Sequence, residues 1–359
     1  MLRPRTKIQV GGREIGETEP TYFIADIAAN HDGDLSRAKD LIYRAAEAGA
    51  DAAKFQHFQA DTIVSDKGFK QLKTTSSHQT NWKGSVYDVY KSASVDLSWT
   101  KELKSTCDDV GIPFFTTPYS LDIVDFIDEY VPAYKIGSGD LTWLQLIQHV
   151  AGKHKPYMIA TGASSMDEVH RAVTAALTIN PQLALMQCNT NYTASLDNFK
   201  FIQLNVLRSY RAMYPDMILG LSDHTPGHST VLGAVTLGAR IIEKHFTDDN
   251  ERIGPDHAFS MDPNSWREMV DRTRELEQAL GNGIKQVEDN EKETVILQRR
   301  ALRLNNTMQA GEVIKDTHLE ILRPCPTDAI PPYLINQVIG KKLTKQIEKG
   351  EYIRFLDIQ

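Results

Sequence analysis

The chain has 359 residues, 41% hydrophobic and 24% charged, a composition ordinary for a soluble globular protein of two domains or one large one. Forty Lys+Arg against 47 Asp+Glu give −7, with no basic footprint for nucleic acid, and no apolar run nears the ~18 residues of a membrane span. The start is positive but lacks the apolar stretch of a signal peptide, and Cys107, Cys188 and Cys325 have no metal-ligand spacing, which reads as free thiols in a reducing cytoplasm.

From residue 22 to 281 one pattern recurs: a short apolar run, a polar turn, then an amphipathic stretch. The runs fall at 22–28, 50–56, 113–117, 133–137, 156–161, 183–188, 218–222 and 240–246, eight in all. Consecutive apolar positions predict strands buried on both faces. The stretches between them predict helices. Asp34 is placed as an N-cap, followed by Leu35, Ala38, Leu41, Ile42, Ala45 and Ala46 at helical spacing, with Gly49 as the stop. The last helix starts at Asp262-Pro263, carries Trp266, Met269, Val270, Leu276 and Leu280, and stops at Gly281. Eight strand–helix units in about 260 residues predict a (β/α)8 barrel. An open doubly wound sheet is the alternative, but it more often carries a Gly-rich phosphate turn after its first strand. Here that position reads Ala-Ala-Asn30-His31-Asp-Gly.

Two segments break the rhythm. Residues 57–96 form a long polar excursion with Lys67, Lys70, Lys73, Lys83 and Lys91, a length that in a compact domain is functional or mobile. Residues 282–296 read as a polar linker, and 297–359 as a small second domain with the turn signal Gln309-Ala-Gly311 and the pair Pro331-Pro332. This tail has ten Lys+Arg against seven Asp+Glu, or +3, leaving −10 for the rest. It reads either as a basic cap that docks on an acidic barrel or holds an anion, or as a solvated basic surface.

In such barrels chemistry sits at the C-terminal ends of the strands. Those ends hold Asp26, Asn30-His31, Lys54, Gln56, Thr116-Thr117, Lys135, Ser138, Thr161-Gly162, Cys188 to Tyr192, Ser222-Asp223-His224, Glu243 and His245. Side chains at i and i+2 share a strand face, so Lys54 goes with Gln56 and Glu243 with His245. His224 and His245, ending adjacent strands among oxygen donors, make a pair suited to Mn²⁺ or Mg²⁺-like chemistry, or are structural hydrogen-bonding residues. Lys54 and Lys135 beside Thr117 and Ser138 make a small-polyanion site, unless one forms a Schiff base or both are plain salt-bridge partners.

At these strand ends the sequence resembles the sialic acid synthase family over nearly its whole length. The stretches are Asp26-Ile-Ala-Ala-Asn30-His31-Asp-Gly, Gly49-Ala-Asp-Ala-Ala-Lys54-Phe-Gln56, Thr116-Thr117-Pro118, Tyr134-Lys135-Ile-Gly-Ser138-Gly, Gly220-Leu-Ser222-Asp223-His224-Thr, Glu243-Lys-His245-Phe and Gly254-Pro-Asp256-His257. The tail, with Arg323-Pro324, is similar to the antifreeze-like (SAF) domain of that family. The resemblance implies condensation of phosphoenolpyruvate with an open-chain N-acylmannosamine-type sugar, giving a nonulosonic acid and phosphate. It implies a divalent metal, Mn²⁺ first and Mg²⁺ or Co²⁺ next, on His224 and His245. It implies phosphoenolpyruvate contacts at Lys54, Thr117, Lys135, Ser138 and Ser222, and sugar contacts at Gln56, Asn81, Tyr192 and Asp256. Glu243 resembles the carboxylate that handles the attacking water. It further implies a homodimer in which the cap, through Arg323, covers the other subunit's barrel.

Three departures stand out. Asp26 replaces the family's usual Glu, one methylene shorter, so the contacts to the sugar hydroxyls shift. The run Cys188-Asn189-Thr190-Asn191-Tyr192-Thr193 leaves either Asn189 or Asn191 as the phosphate-binding Asn. Arg323 is followed by Pro-Cys-Pro-Thr-Asp instead of a Pro-Gly-Asn-Gly-like turn. Two other readings are a phosphoenolpyruvate barrel making a shorter sugar-phosphate acid, disfavoured by the tail, and a non-catalytic carbohydrate-binding barrel, disfavoured by the intact strand-end residues.

Overall fold

The computed structural model describes residues 2–72 and 84–359 and falls into two units, Met1–Gly281 and Asn282–Gln359. The first opens with a hairpin, β1 (Lys7–Val10) and β2 (Arg13–Gly16), turned at Gly11-Gly12 with φ of 55° and 86°. Tight hairpin turns need positive φ, which glycine adopts without steric cost. That Gly-Gly pair is the sequence signal for a hairpin, and the strand count above leaves it out.

Eight strands follow: β3 (Tyr22–Asp26), β4 (Ala52–His57), β5 (Phe114–Pro118), β6 (Tyr134–Ile136), β7 (Tyr157–Ala160), β8 (Leu183–Cys188), β9 (Ile218–Asp223) and β10 (Ala239–His245). Hydrogen bonding runs β5-β4-β3-β10-β9-β8-β7-β6, every ladder parallel, and β5 packs beside β6 at the remaining seam. The first and last strands of the eight are paired, so the sheet closes into a (β/α)8 barrel.

Alternation sorts the side chains into two cores. Outward residues such as Phe23, Phe55, Phe114, Leu185 and Ile242 pack under the helices with Leu41, Ile42 and Trp266. Inward residues at the N-terminal end, among them Tyr22, Ile24, Phe115, Met158, Met186 and Ile241, form a second cluster. Ile8, Val10 and Ile15 of the hairpin belong to that cluster, so the hairpin plugs this end. Gly220 is required inside: a Cβ there would stand 2.9 Å from Met186 Cγ and 2.8 Å from the Ile241 carbonyl oxygen.

Helix α1 (Leu35–Glu47) begins at Asp34, whose carboxylate accepts the Ser36 and Arg37 N–H groups, and the chain leaves it through Gly49 at φ 92°. The excursion after β4 is not featureless. It holds α2 (Ala60–Ile63), α3 (Asp66–Gln71) and α4 (Val86–Ala93), each too short to show a helical period in sequence. Helices α5 (Thr100–Asp109), α6 (Leu121–Ile127), α7 (Leu144–Ala151), α8 (Met166–Leu177), α9 (Val206–Met213) and α10 (Ser229–Thr236) connect the later strands. The last, α11 (Pro263–Leu280), starts where Asp262 accepts the Ser265 N–H. Among the described residues no helix is long and apolar enough to cross a membrane.

The second unit contains α12 (Lys292–Gln298) and the antiparallel pair β11 (Ala301–Leu304) and β12 (Leu319–Leu322). It has its own apolar cluster, including Leu302, Leu304, Ile314, Ile330, Leu343 and Ile353. Arg323 lies just beyond β12, joined to Pro324 by a cis peptide bond.

Candidate active site

At the C-terminal end of the barrel the inward positions change from apolar to ionisable. Asp26, Lys54, Gln56, Thr117, Lys135, Ser222, Glu243 and His245 line one cavity of about 360 Å³, together with Ser138, Cys188, Tyr192 and His224. Register sets the neighbours: Asp26 stands opposite Lys54, Gln56 opposite Thr117, and Glu243 opposite Ser222.

These groups form one bonded layer. Lys54 Nζ donates to Asp26 Oδ2 at 2.7 Å and to Thr117 Oγ1 at 3.3 Å, and lies 3.9 Å from Glu243 Oε2. Gln56 Nε2 donates to the same Asp26 oxygen at 3.0 Å. Lys135 Nζ and Ser222 Oγ donate to Glu243 Oε1 at 2.9 and 3.0 Å. Buried charges persist only when paired and hydrogen-bonded, and here each cation meets a carboxylate. Burial would push the Glu243 carboxyl up, but Lys135 and Lys54 outweigh it and hold the group at about 2, so it is ionised. Burial also works against the charge on Lys54, yet Asp26 and Glu243 keep it above the ordinary lysine value.

His224 follows β9 and His245 ends β10, with ring centroids 5.4 Å apart. His224 Nδ1 stands 2.8 Å from the Asn189 carbonyl oxygen. A carbonyl only accepts, so Nδ1 carries the proton and Nε2 keeps its lone pair. Burial lowers both rings to about 3, and each is neutral. His245 Nε2 lies 3.6 Å from Asp26 Oδ2 and Nδ1 lies 3.8 Å from Asp256 Oδ2, both too long for hydrogen bonds. Its Nδ1 is buried with no partner among the described residues. Two neutral imidazoles with unused nitrogens, flanked by carboxylates, fit a divalent cation of intermediate hardness. Among the described residues no three His, Cys, Asp or Glu side chains converge on one point, so such a cation would take its other ligands from water and substrate.

The histidines are braced from behind. Lys244, on the outer face of β10, donates to Asp223 Oδ2 and to the Thr225 carbonyl oxygen, both at 2.5 Å. Thr230 Oγ1 donates to Asp223 Oδ2 at 2.7 Å. These bonds tie the end of β9 to the end of β10.

The other residues singled out in the sequence divide. Ser138 Oγ accepts the Gly162 N–H at 3.0 Å, an approach that a Cβ at Gly162 would obstruct, standing 3.1 Å from Cys188 Sγ. Asp256 Oδ2 accepts the Ala29 N–H at 3.1 Å, and burial pushes this carboxyl up to about 7. Asn189 offers its backbone to His224 and its side-chain Nδ2 to the Phe201 carbonyl at 3.2 Å, whereas Asn191 is exposed. Asn81 lies outside the described residues. Arg323 belongs to the second unit, where it is exposed. The sequence reading also passes over Asp140, which lines the same cavity from the turn Ser138–Asp140. Its Oδ2 is buried without a partner among the described residues, and burial raises the carboxyl to about 6. The signal was present: an acid two residues beyond Ser138, at a strand end.

Fold and site together define a (β/α)8-barrel enzyme that gathers two lysines, two carboxylates and two neutral histidines at its strand ends. Residues 41–285 match the NeuB family and residues 299–359 the SAF domain. The N,N'-diacetyllegionaminic acid synthase of Campylobacter jejuni is 33% identical, over 93% of this chain and 99% of its own. Human N-acetylneuraminate-9-phosphate synthase is 31% identical, over 95% of this chain and 94% of its own. The crystal structure of N-acetylneuraminic acid synthetase from Leptospira borgpetersenii, in complex with citrate, matches with a TM-score of 0.71 at 27% identity, covering 82% of this chain and 96% of that one. The chain belongs to the NeuB family of metal-dependent, phosphoenolpyruvate-dependent condensing enzymes.

Proposed function

We propose that the protein condenses phosphoenolpyruvate with the open-chain form of an N-acylated mannosamine-type sugar in the cytoplasm, releasing phosphate and forming a sialic-type nonulosonic acid. The observation that carries this reading is the layer of Lys54, Lys135 and Glu243 facing two neutral histidines inside one cavity.

Lys54 and Lys135 bind the substrate anion, and the hydroxyls of Thr117, Ser138 and Ser222 orient it. Their positive charge is already balanced by Asp26 and Glu243. A polyanion entering this layer therefore needs a further cation, and His224 and His245 would hold it, as Mn²⁺ first and Mg²⁺ or Co²⁺ next. When bound, the cation polarises the sugar aldehyde. Carbon 3 of phosphoenolpyruvate bonds to the aldehyde carbon, whose oxygen gains a proton and becomes a hydroxyl. Glu243, ionised at neutral pH, takes a proton from the water that then adds to the electron-poor carbon 2, and phosphate leaves to give the 2-keto acid. Asp26 fixes Lys54 and, with Gln56, Asn81, Tyr192 and Asp256, orients the sugar, while Asn189 or Asn191 meets the phosphate. Arg323 on a compact SAF domain supports a homodimer in which the cap of one subunit serves the barrel of the other.

The deciding experiment is a panel of N-acetylmannosamine, its diacetamido-trideoxy relatives and mannose, each with phosphoenolpyruvate and Mn²⁺, read by phosphate release and product mass. Phosphate release with an acylated amino sugar and a product carrying the pyruvyl carbons supports the reading. No release with any of the sugars rejects it.

A further inference from the structure

Lys244 and Asp223 form an ion pair, each side chain 1% exposed, that the proposed chemistry does not use. We infer that the pair is a positioning device: it sets the distance and aim of His224 and His245, and through them the affinity of the site for a divalent cation. The inference rests on the proposal that those histidines hold the cation.

Sequence and register put the pair beside both histidines at once. Asp223 precedes His224, Lys244 precedes His245, and the two face each other across the β9–β10 ladder. Alternation turns them away from the side that Ser222, Glu243 and His245 face, and neither lines the cavity. The Asp223 carboxylate folds back over His224. Its Oδ1 accepts the Thr225 N–H at 3.2 Å, closing a turn whose middle residue is His224. The Thr225 hydroxyl bonds the same carboxylate, 2.8 Å from Oδ2. Lys244 Nζ closes the other side, donating both to Asp223 Oδ2 and to the Thr225 carbonyl oxygen. Thr230, in the first turn of α10, adds a further donor on Oδ2. The residue after His224 is thus held through its N–H, hydroxyl and carbonyl, and the lysine that holds it is the residue before His245. With Nδ1 of His224 fixed on the Asn189 carbonyl, this clamp leaves Nε2 one direction. Two charges taken out of water are costly, and an apolar pair of equal volume would serve stability as well or better. An apolar pair has no direction to impose, however. Groups bonded behind metal-binding histidines fix their orientation, and their loss weakens metal binding by roughly 10- to 100-fold.

The test separates positioning from stability. In Asp223→Asn/Lys244→Met both charges go, so no buried charge is stranded and the fold should hold. Asn keeps the acceptor for the Thr225 N–H, but the Thr225 carbonyl loses its donor. Mn²⁺ is titrated into the metal-free protein without substrate, read by electron paramagnetic resonance of the free ion, next to denaturant unfolding. The double variant should bind Mn²⁺ roughly tenfold or more weakly than wild type. Its KM for phosphoenolpyruvate at saturating Mn²⁺ should stay unchanged, because Lys54 and Lys135 are untouched. Wild-type Mn²⁺ affinity in the folded double variant overturns the inference. Weaker Mn²⁺ binding with an equal rise in that KM reports a loosened barrel mouth and overturns it too. If the double variant does not fold, Thr230→Val decides, since it deletes one hydroxyl and leaves the ion pair. It should weaken Mn²⁺ binding about threefold, and no change overturns the inference. His224→Ala and His245→Ala are titrated alongside. If they bind Mn²⁺ as wild type does, the histidine reading fails and the inference with it. If they lose Mn²⁺ while the double variant keeps it, the inference alone fails.

Discussion

Lys54 and Lys135 each bond one carboxylate and are almost fully buried, which gives their replacement a particular signature. Lys54→Ala and Lys135→Ala should raise the KM for phosphoenolpyruvate and lower kcat, together worth about 2–4 kcal/mol of lost charge-assisted contact. Initial rates over a phosphoenolpyruvate series check this. Borohydride trapping of a covalent adduct on either lysine would instead favour the Schiff-base reading, which the protonated state of Lys54 argues against. The histidines make a second case. Chelation should abolish turnover and Mn²⁺ restore it, while His224→Ala and His245→Ala should lose activity by several orders of magnitude and bind Mn²⁺ weakly, with the circular dichroism spectrum intact. Full activity in excess chelator would exclude the metal role. At this scale much of the site was legible, because strand alternation alone puts Lys54 with Gln56 and Glu243 with His245 on one face. Asp140 was signalled only by its place two residues beyond Ser138, because on a short turn no period fixes the direction of a side chain.

Elements were legible where burial is two-sided. Strands β3 to β10 announce themselves as apolar runs because inner and outer cores both claim them. Their bounds differ from the runs by two residues at most at either end: at β6 the run 133–137 narrows to Tyr134–Ile136, β8 matches its run, and β9 reaches one residue beyond it. The wall that α2 and α4 give the pocket beside the site was hidden, since they come from an excursion whose polarity masks Ile63, Val89 and Ala93. Ion pairs between elements were equally invisible. Arg37 on α1 donates two bonds to Asp248, in the loop after β10, at 2.7 and 2.6 Å. Those bonds hold the Asp248 carboxyl at about 2, below its usual 3.8. A carboxyl depressed in the folded state stabilises fully above its unfolded value, and that contribution disappears as pH falls through the folded one. Asp248→Asn should therefore cost on the order of 1 kcal/mol at neutral pH, allowing for partial solvent screening. The deficit should shrink as pH drops from about 4 toward 2. Denaturant unfolding of both proteins across that range measures it. A deficit independent of pH would mean that Asp248 acts by shape instead of charge.

Across the whole molecule, each unit owns an apolar cluster, the barrel two and the SAF domain one. A core of its own should let residues 1–281 fold when expressed alone. Folding is not activity, however. The barrel supplies lysines, carboxylates and histidines, but Arg323, through which the cap is proposed to serve a barrel, lies beyond the boundary at Gly281. A guanidinium arriving over the sugar would donate to its acyl oxygen with a planar fork that a lysine does not replace. Residues 1–281 should therefore be folded and nearly inactive. Truncation alone leaves open which barrel the cap serves, and complementation answers that. One chain carries Arg323→Ala with an intact barrel, the other His245→Ala with an intact cap, and each is inactive by itself. If caps cross between subunits, every mixed dimer contains one site with both residues wild type. With random pairing of equal amounts, about a quarter of the wild-type activity should return. No recovery in dimers shown to be mixed, with Arg323→Ala inactive alone, would place each cap over its own barrel. Wild-type turnover of Arg323→Ala before any mixing would instead take the arginine out of the site.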